Sequence, residues 1–215
     1  PRTCGAPHAA ASAGHDAMRG AAHLLTWHAR RLTEKAKAPV WSAVWSNVQR
    51  RYGPEKFPSC DEFLRSSTDI YKYLQRELLA AENTRHLEDL CTEEMWPIIR
   101  ATGVDYEKVR RQLGADECWI DWKSTEAFIC SLGPPEAPPT SAAKAGEVGP
   151  GELEVAPGLE VVAGTRFFSV MSMSFAPDKV RHGIDDVIFK SAWDPDIGVR
   201  QWKIAYIGGP VQPPE

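Results

Sequence analysis

The sequence predicts an α+β fold, with helices first and about four antiparallel strands after them. Two patterns carry this. Apolar residues recur at three- and four-residue steps in the segment from Asp61, and at every second residue from Glu117 onward. Because the strands follow the helices rather than alternating with them, a βαβ arrangement is excluded. Composition agrees: 215 residues, 43 % hydrophobic and 25 % charged, suit one ordinary domain with an arm, and exclude wholesale disorder, collagen and coiled coil. No window approaches the roughly 18 uninterrupted apolar residues that a membrane-crossing helix needs.

The elements follow in order. Residues 1–56 read as a basic helical arm, with one helix around 16–37 carrying Leu24, Leu25, Trp27, His28 and Leu32. A second short apolar run, Val40-Trp41-Ser42-Ala43-Val44-Trp45, ends before Gly53-Pro54. Residues 57–215 form the body. From Asp61, Phe63, Ile70, Leu74, Leu78 and Ala81 fall on one stripe of a long amphipathic helix. Asn83 or Thr84 is placed to cap a short helix carrying Leu87 and Leu90. Thr92 is placed to cap Glu93–Ala101, with two acids in its first turn and Gly103 as a stop, and Val104–Leu113 adds another turn or two. Cys118, Ile120 and Trp122 then alternate with Trp119, Asp121 and Lys123, as in a strand. Phe167, Met171, Met173 and Phe175 share a face opposite Ser172 and Ser174. Val187 and Phe189 continue the pattern, and Trp202, Ile204 and Tyr206 close it. Residues 133–158 hold six Pro and five Gly, the composition of a mobile insertion between paired strands.

Charge is unevenly spread. Residues 1–56 hold nine Lys/Arg against three Asp/Glu, so the 25 basic and 29 acidic residues of the chain leave 16 and 26 for the body. A cationic arm on an acidic body suits an anionic partner, RNA phosphate or anionic lipid, or else a solvated basic helix. Five scattered cysteines without a CxxC pair support neither a zinc site nor a disulfide framework, and reduced thiols fit cytosol, mitochondrial matrix or plastid stroma. The opening PRTCGAPHAAASAGHDAMRGAAHLL, rich in Ala and nearly free of acid, resembles the region around an organellar transit-peptide cleavage site.

Chemical motifs are scarce. There is no GxGxxG, P-loop, GxSxG, HExxH or EF-hand loop, and the Gly-rich stretch Gly146–Gly151 carries acid and Pro where phosphate would have to sit. No cofactor or metal is expected; His23 and His28, five apart, do not share a helical face. The one catalytic candidate is His182 with Asp185 and Asp186, a constellation for acid–base work, against the favoured reading of Lys179–Gly183 as a polar loop whose cations the acids balance. Trp41, Trp45, Trp119, Trp122, Trp193 and Trp202 can build a stacking platform for single-stranded RNA or pack a core; the acidic strands favour packing. Partner-binding candidates are Arg19, Arg30, Arg31, Lys35, Lys37, Trp41, Trp45, Arg50 and Arg51, with the two indoles, four residues apart, forming an apolar helical face beside the last two arginines.

Asp69-Ile70-Tyr71 through Leu87-Glu88-Asp89-Leu90-Cys91-Thr92-Glu93-Glu94-Met95 reads as a long helix, a short helix and a capped helix. With the closing strands Val187–Lys190 and Arg200–Ile204, it resembles the translocase-of-inner-membrane 44-like domain, a variant of the cone-shaped nuclear transport factor 2 fold, over about residues 60–207. The resemblance implies a curved, cone-like sheet and a non-enzymatic structural subunit of a large mitochondrial assembly. That subunit would be peripheral to the matrix face of the inner membrane, like the membrane-facing large-subunit ribosomal protein and the import-motor anchor of that type. It implies protein partners, with ribosomal RNA or anionic lipid reached through the arm and no small-molecule substrate. An accessory subunit of a respiratory or ATP-synthase complex is the alternative, and a small cone-fold isomerase or dehydratase using His182 and Asp185/Asp186 the second alternative.

Overall fold

The computed structural model describes residues 8–54, 57–80, 84–113, 118–133, 160–194 and 199–208, with backbone alone for residues 8–19, 51–52, 109, 113, 192–194 and 199–200. The Pro/Gly-rich insertion at 133–158 lies outside them apart from Gly133, as do Asn83 and Ala81.

Among the described residues, four helical elements precede four strands. Helix α1 spans His8–Tyr52, α2 Cys60–Ala80, a 3₁₀ helix Arg85–Leu90, and α3 Trp96–Leu113; strands β1 (Ile120–Gly133), β2 (Val161–Met173), β3 (Ala176–Asp194) and β4 (Val199–Gly208) follow. The strands form an antiparallel meander in the order β1-β2-β3-β4. The fold is therefore α+β, as the periodicity predicts. Register shifts at Trp122/Ser124, Ile129/Ser131, Met171/Met173 and Ile188/Phe189 mark bulges, which bend the strands and curve the open sheet. At Gly164, opposite the second bulge, a Cβ would collide with the Ser131 side chain, so only glycine lets β1 approach there.

Local chemistry explains the helix boundaries. Helix α2 begins with a capping box: Ser59 Oγ accepts from the Glu62 N–H at 3.2 Å, and Glu62 Oε2 accepts from the Ser59 N–H at 2.9 Å. Helix α1 ends at Gly53, whose φ of 88° is the left-handed conformation that glycine supplies without penalty, and Pro54 forbids continuation. Three boundaries differ from expectation, the first being that α3 begins at Trp96 rather than Glu93, with residues 93–95 in a turn before it. Thr84 makes no side-chain cap, and α3 runs through Gly103 rather than stopping there. Gly103 is a packing glycine: a Cβ would sit 3.0 Å from the Thr84 methyl.

Helix α1 is also one helix rather than two runs, continuing through Pro39. A helix-interior proline removes a hydrogen bond and costs about 3 kcal/mol. Tertiary packing on both sides of it offsets that. Trp27 and Glu34 are buried before the proline and Trp45 after it. The segment read as an arm is thus folded onto the body.

The sheet is covered on both faces. In β2, Ala163, Thr165, Phe167 and Ser169 face α2, while Gly164, Arg166 and Phe168 face α1, and all but Arg166 are buried. On the α2 face, Tyr71 stacks on Phe167 with centroids 4.3 Å apart and planes 7° apart. Trp45 closes the far end, stacked on Phe63 at 4.5 Å and near Phe57 and Trp202. Its Nε1 donates to the Pro58 carbonyl. On the other face Trp27 meets Phe168 edge-on and donates to the Gly183 carbonyl.

Candidate functional site

Two places concentrate function-bearing groups, and the sheet separates them. The first is the join between α1 and the sheet. Arg166, on β2, donates from Nε and one terminal nitrogen to the two Asp186 oxygens at 2.6 and 2.8 Å, and from the other to Glu34 Oε1 at 2.9 Å. Glu34 is buried on α1, with Lys37 at 3.4 Å. The hydrogen bonds to Asp186, with the charges of Asp186 and Glu34, hold the Arg166 guanidinium protonated well above its ordinary range. Arg31 of α1 pairs with Glu126 of β1 one turn away, and His23 Nε2 meets the His182 carbonyl at 2.9 Å.

The second place is a cavity of about 280 Å³ on the opposite face. Tyr71, Gln75 and Leu79 of α2, Tyr106 of α3, Ile120 of β1, Met171 and Met173 of β2, and Arg181 to Gly183 with Asp185 of β3 border it. The Tyr71 hydroxyl donates to Asp185 Oδ2 at 2.5 Å. Burial pushes the Asp185 carboxyl above its ordinary value, more than the Tyr71 hydrogen bond lowers it, and the neighbouring Asp186 charge adds to the rise. Burial and the adjacent carboxylate likewise drive the Tyr71 hydroxyl upward, so it stays a neutral donor. Ser169 Oγ lies close enough to favour the ionised Tyr71 slightly, but without regular hydrogen-bond geometry to any group.

This geometry divides the catalytic candidates. Asp185 faces the cavity. Asp186, one residue on, points to the opposite face and is held by Arg166. The His182 ring packs edge-on against Trp27 at 5.2 Å on the α1 side, although the residue also borders the cavity. The run Lys179–Gly183 belongs to β3 rather than to a loop, and strand alternation is what sends His182 and Asp185 to different faces. The three do not form one acid–base cluster.

The partner-binding candidates divide too. Trp45 is fully buried and Trp41 packs against the core, so the expected indole face points inward. Arg31 is spent on Glu126. Lys35, Lys37 and Arg50 are exposed, Arg30 is half-buried, and the side chains of Arg19 and Arg51 lie outside the described residues. The RNA platform dissolves for the same reason: Trp122 and Trp202 pack against the core, Trp119 alone is exposed among the described candidates, and the Trp193 side chain is not described.

What the sequence reading passed over is the outward side of α1. Leu25, Leu32 and Val40 are 71, 61 and 65 % exposed. With exposed Ala29, Ala36 and Ala43 they make a stripe at 3.6-residue spacing. It lies roughly opposite Trp27, Glu34 and Trp45. Lys35, Lys37 and Arg50 flank it, and the only acid on the described side chains of α1, Glu34, is buried. Helical spacing of Leu25, Leu32 and Val40 was the available signal; the tryptophans drew the assignment to the other face.

No helix among the described residues is long and apolar enough to cross a membrane, and no group of three or more His, Cys, Asp or Glu there is placed to hold a metal ion. Cys60, Cys91, Cys118 and Cys130 are free thiols. Fold and sites together define an α+β protein: a curved, open four-stranded antiparallel sheet clasped between a long basic helix and a helical layer that encloses a small acid-bearing cavity. No protein-family model matches the chain, and no curated protein is significantly similar to it.

Proposed function

We propose that the chain is a non-enzymatic structural subunit of a large mitochondrial assembly, lying on the matrix face of the inner membrane, with the outward stripe of α1 as its attachment surface. The observation that carries this is the stripe itself: Leu25, Leu32 and Val40 in the open, flanked by cations and by no exposed acid among the described side chains of α1. An apolar helical face in a cationic frame suits the boundary of an anionic lipid layer, where apolar burial and headgroup attraction add. Nucleic acid alone would use the cations and leave the leucines wet. The order of elements, similar to the translocase-of-inner-membrane 44-like domain, supports the same placement. The separation of His182 from Asp185 and Asp186 speaks for a structural rather than a catalytic role.

Gradient sedimentation of native organelle extract, with the wild-type chain and a Leu25→Asp/Leu32→Asp/Val40→Asp variant followed side by side, tests the proposal. The expected result is wild type in a large, membrane-associated particle released by detergent, and the variant displaced from the membrane fraction. Particles that collapse under nuclease place the chain in a ribosome, and nuclease-resistant, detergent-dependent ones in a respiratory or ATP-synthase complex. Wild type and variant running together as free monomers would sink the proposal.

A further inference from the structure

The cavity beneath Tyr71 has a chemistry that a purely structural subunit does not require. Asp185 is half-buried, yet among the described residues its hydrogen bond is from the neutral Tyr71 hydroxyl alone, and no Lys, Arg or His lies within ion-pair distance of it. The other acids that face the sheet contrast with it: Glu34 and Asp186 share Arg166, and Glu126 has Arg31. A carboxylate partly withdrawn from water without a cation is costly, and a ligand that brings a positive charge to it offsets that cost.

The walls of the cavity point the same way. Met171, Met173, Leu79, Ile120 and the Tyr71 and Tyr106 rings supply apolar and aromatic walls, with Gln75 and His182 as polar groups beside them. Thioethers and phenol rings accommodate an apolar body and attract a cation by their polarisable faces. Arg181 borders the opening, but its side chain is exposed, where water screens it.

We infer that this cavity is a binding site for a small organic cation, a protonated amine on an apolar or aromatic body, with Asp185 as counter-ion. A volume of about 280 Å³ sits at the small end of ligand cavities and suits a fragment-sized amine rather than a nucleotide cofactor. The inference is independent of the attachment surface on α1, which lies across the sheet.

The test titrates phenethylamine, and phenethyl alcohol as its neutral counterpart, into the full chain by calorimetry and by NMR of the methionine methyls. Saturable binding of the amine is expected, with Met171 and Met173 shifted and the alcohol weaker by about tenfold, as a charged hydrogen bond implies. Asp185→Asn should lose about the same factor while keeping the Tyr71 hydrogen bond through its amide oxygen. A thermal melt confirms that the variant is folded. Equal affinity for amine and alcohol in the wild type, or no saturable amine binding in the millimolar range, would overturn the inference without reference to any variant. Unchanged amine affinity in a folded Asp185→Asn would do the same.

Discussion

Arg166 joins α1 to the sheet, and replacing it with methionine tests how α1 is held. The substitution keeps an apolar stem of similar length and deletes three hydrogen bonds, two to Asp186 and one to Glu34. Glu34, with only 5 % of its side chain exposed, is then left with Lys37 at 3.4 Å, whose own side chain is 54 % exposed. Breaking a buried ion pair from one side costs about 3–5 kcal/mol, because a desolvated charge remains. Arg166 and Asp186 are each about a quarter exposed, at 24 and 26 %, so water recovers part of the loss and the lower end, about 3 kcal/mol, applies. For a chain of this size that is a fall in melting temperature of roughly 6–12 °C. Urea unfolding followed by tryptophan emission measures it, with Trp27 reporting directly on the α1 contact. If the ion cluster is responsible, Arg166→Met combined with Glu34→Gln and Asp186→Asn recovers most of the loss, since no unpaired charge is then buried. A loss under about 1 kcal/mol for Arg166→Met alone, or no recovery in the triple variant, would refute the assignment.

Other expectations follow from the same packing. Trp45→Ala removes a fully buried indole stacked on Phe63 and should cost about 3–5 kcal/mol in urea melts, whereas a solvent-facing indole would cost almost nothing. Asp185→Asn should raise stability at neutral pH and lose that advantage in acid. The fold raises the Asp185 pKa, so the wild-type penalty is full above the raised value and disappears as pH falls below the ordinary 3.8; urea midpoints across pH 3 to 7 read the difference. Burial pushes the Cys91 thiol up to about 11, so iodoacetamide should leave it unlabelled in the native protein and modify it only after unfolding, as peptide mass mapping will show.

The sequence disclosed most of the fold and little of the site, for identifiable reasons. Period-two alternation from Cys118 and the stripe from Phe63 to Leu78 are one-faced patterns, and each yielded its element. The Ser59-x-x-Glu62 signature of the α2 start was equally available. Helix α1 was not readable in that way, because it is apolar on two opposite sides. Trp27 and Trp45 face the protein, Leu25 and Leu32 face solvent, and Pro39 reads as a break. Phe168 was missed as core for a related reason: strand β2 is buried on both faces, and alternation marks only one. Tyr71 was quoted only as part of a helix. Its meeting with Asp185, 114 residues away, depends on the register of β2 against β3, which no local pattern reveals.

The integration of α1 also changes which experiment can separate attachment from folding. Removing residues 1–56 would strip away Trp27, Glu34 and Trp45 together, expose Phe168 and leave Arg166 paired with Asp186 alone. Loss of assembly after such a deletion would follow from unfolding whatever α1 binds. Leu25, Leu32 and Val40 are the residues that can be altered without that ambiguity, since exposed positions away from such contacts change stability by only about 0.5 kcal/mol. One helix therefore carries two separable tasks: its inner side holds the sheet, and its outer side is free to hold a partner.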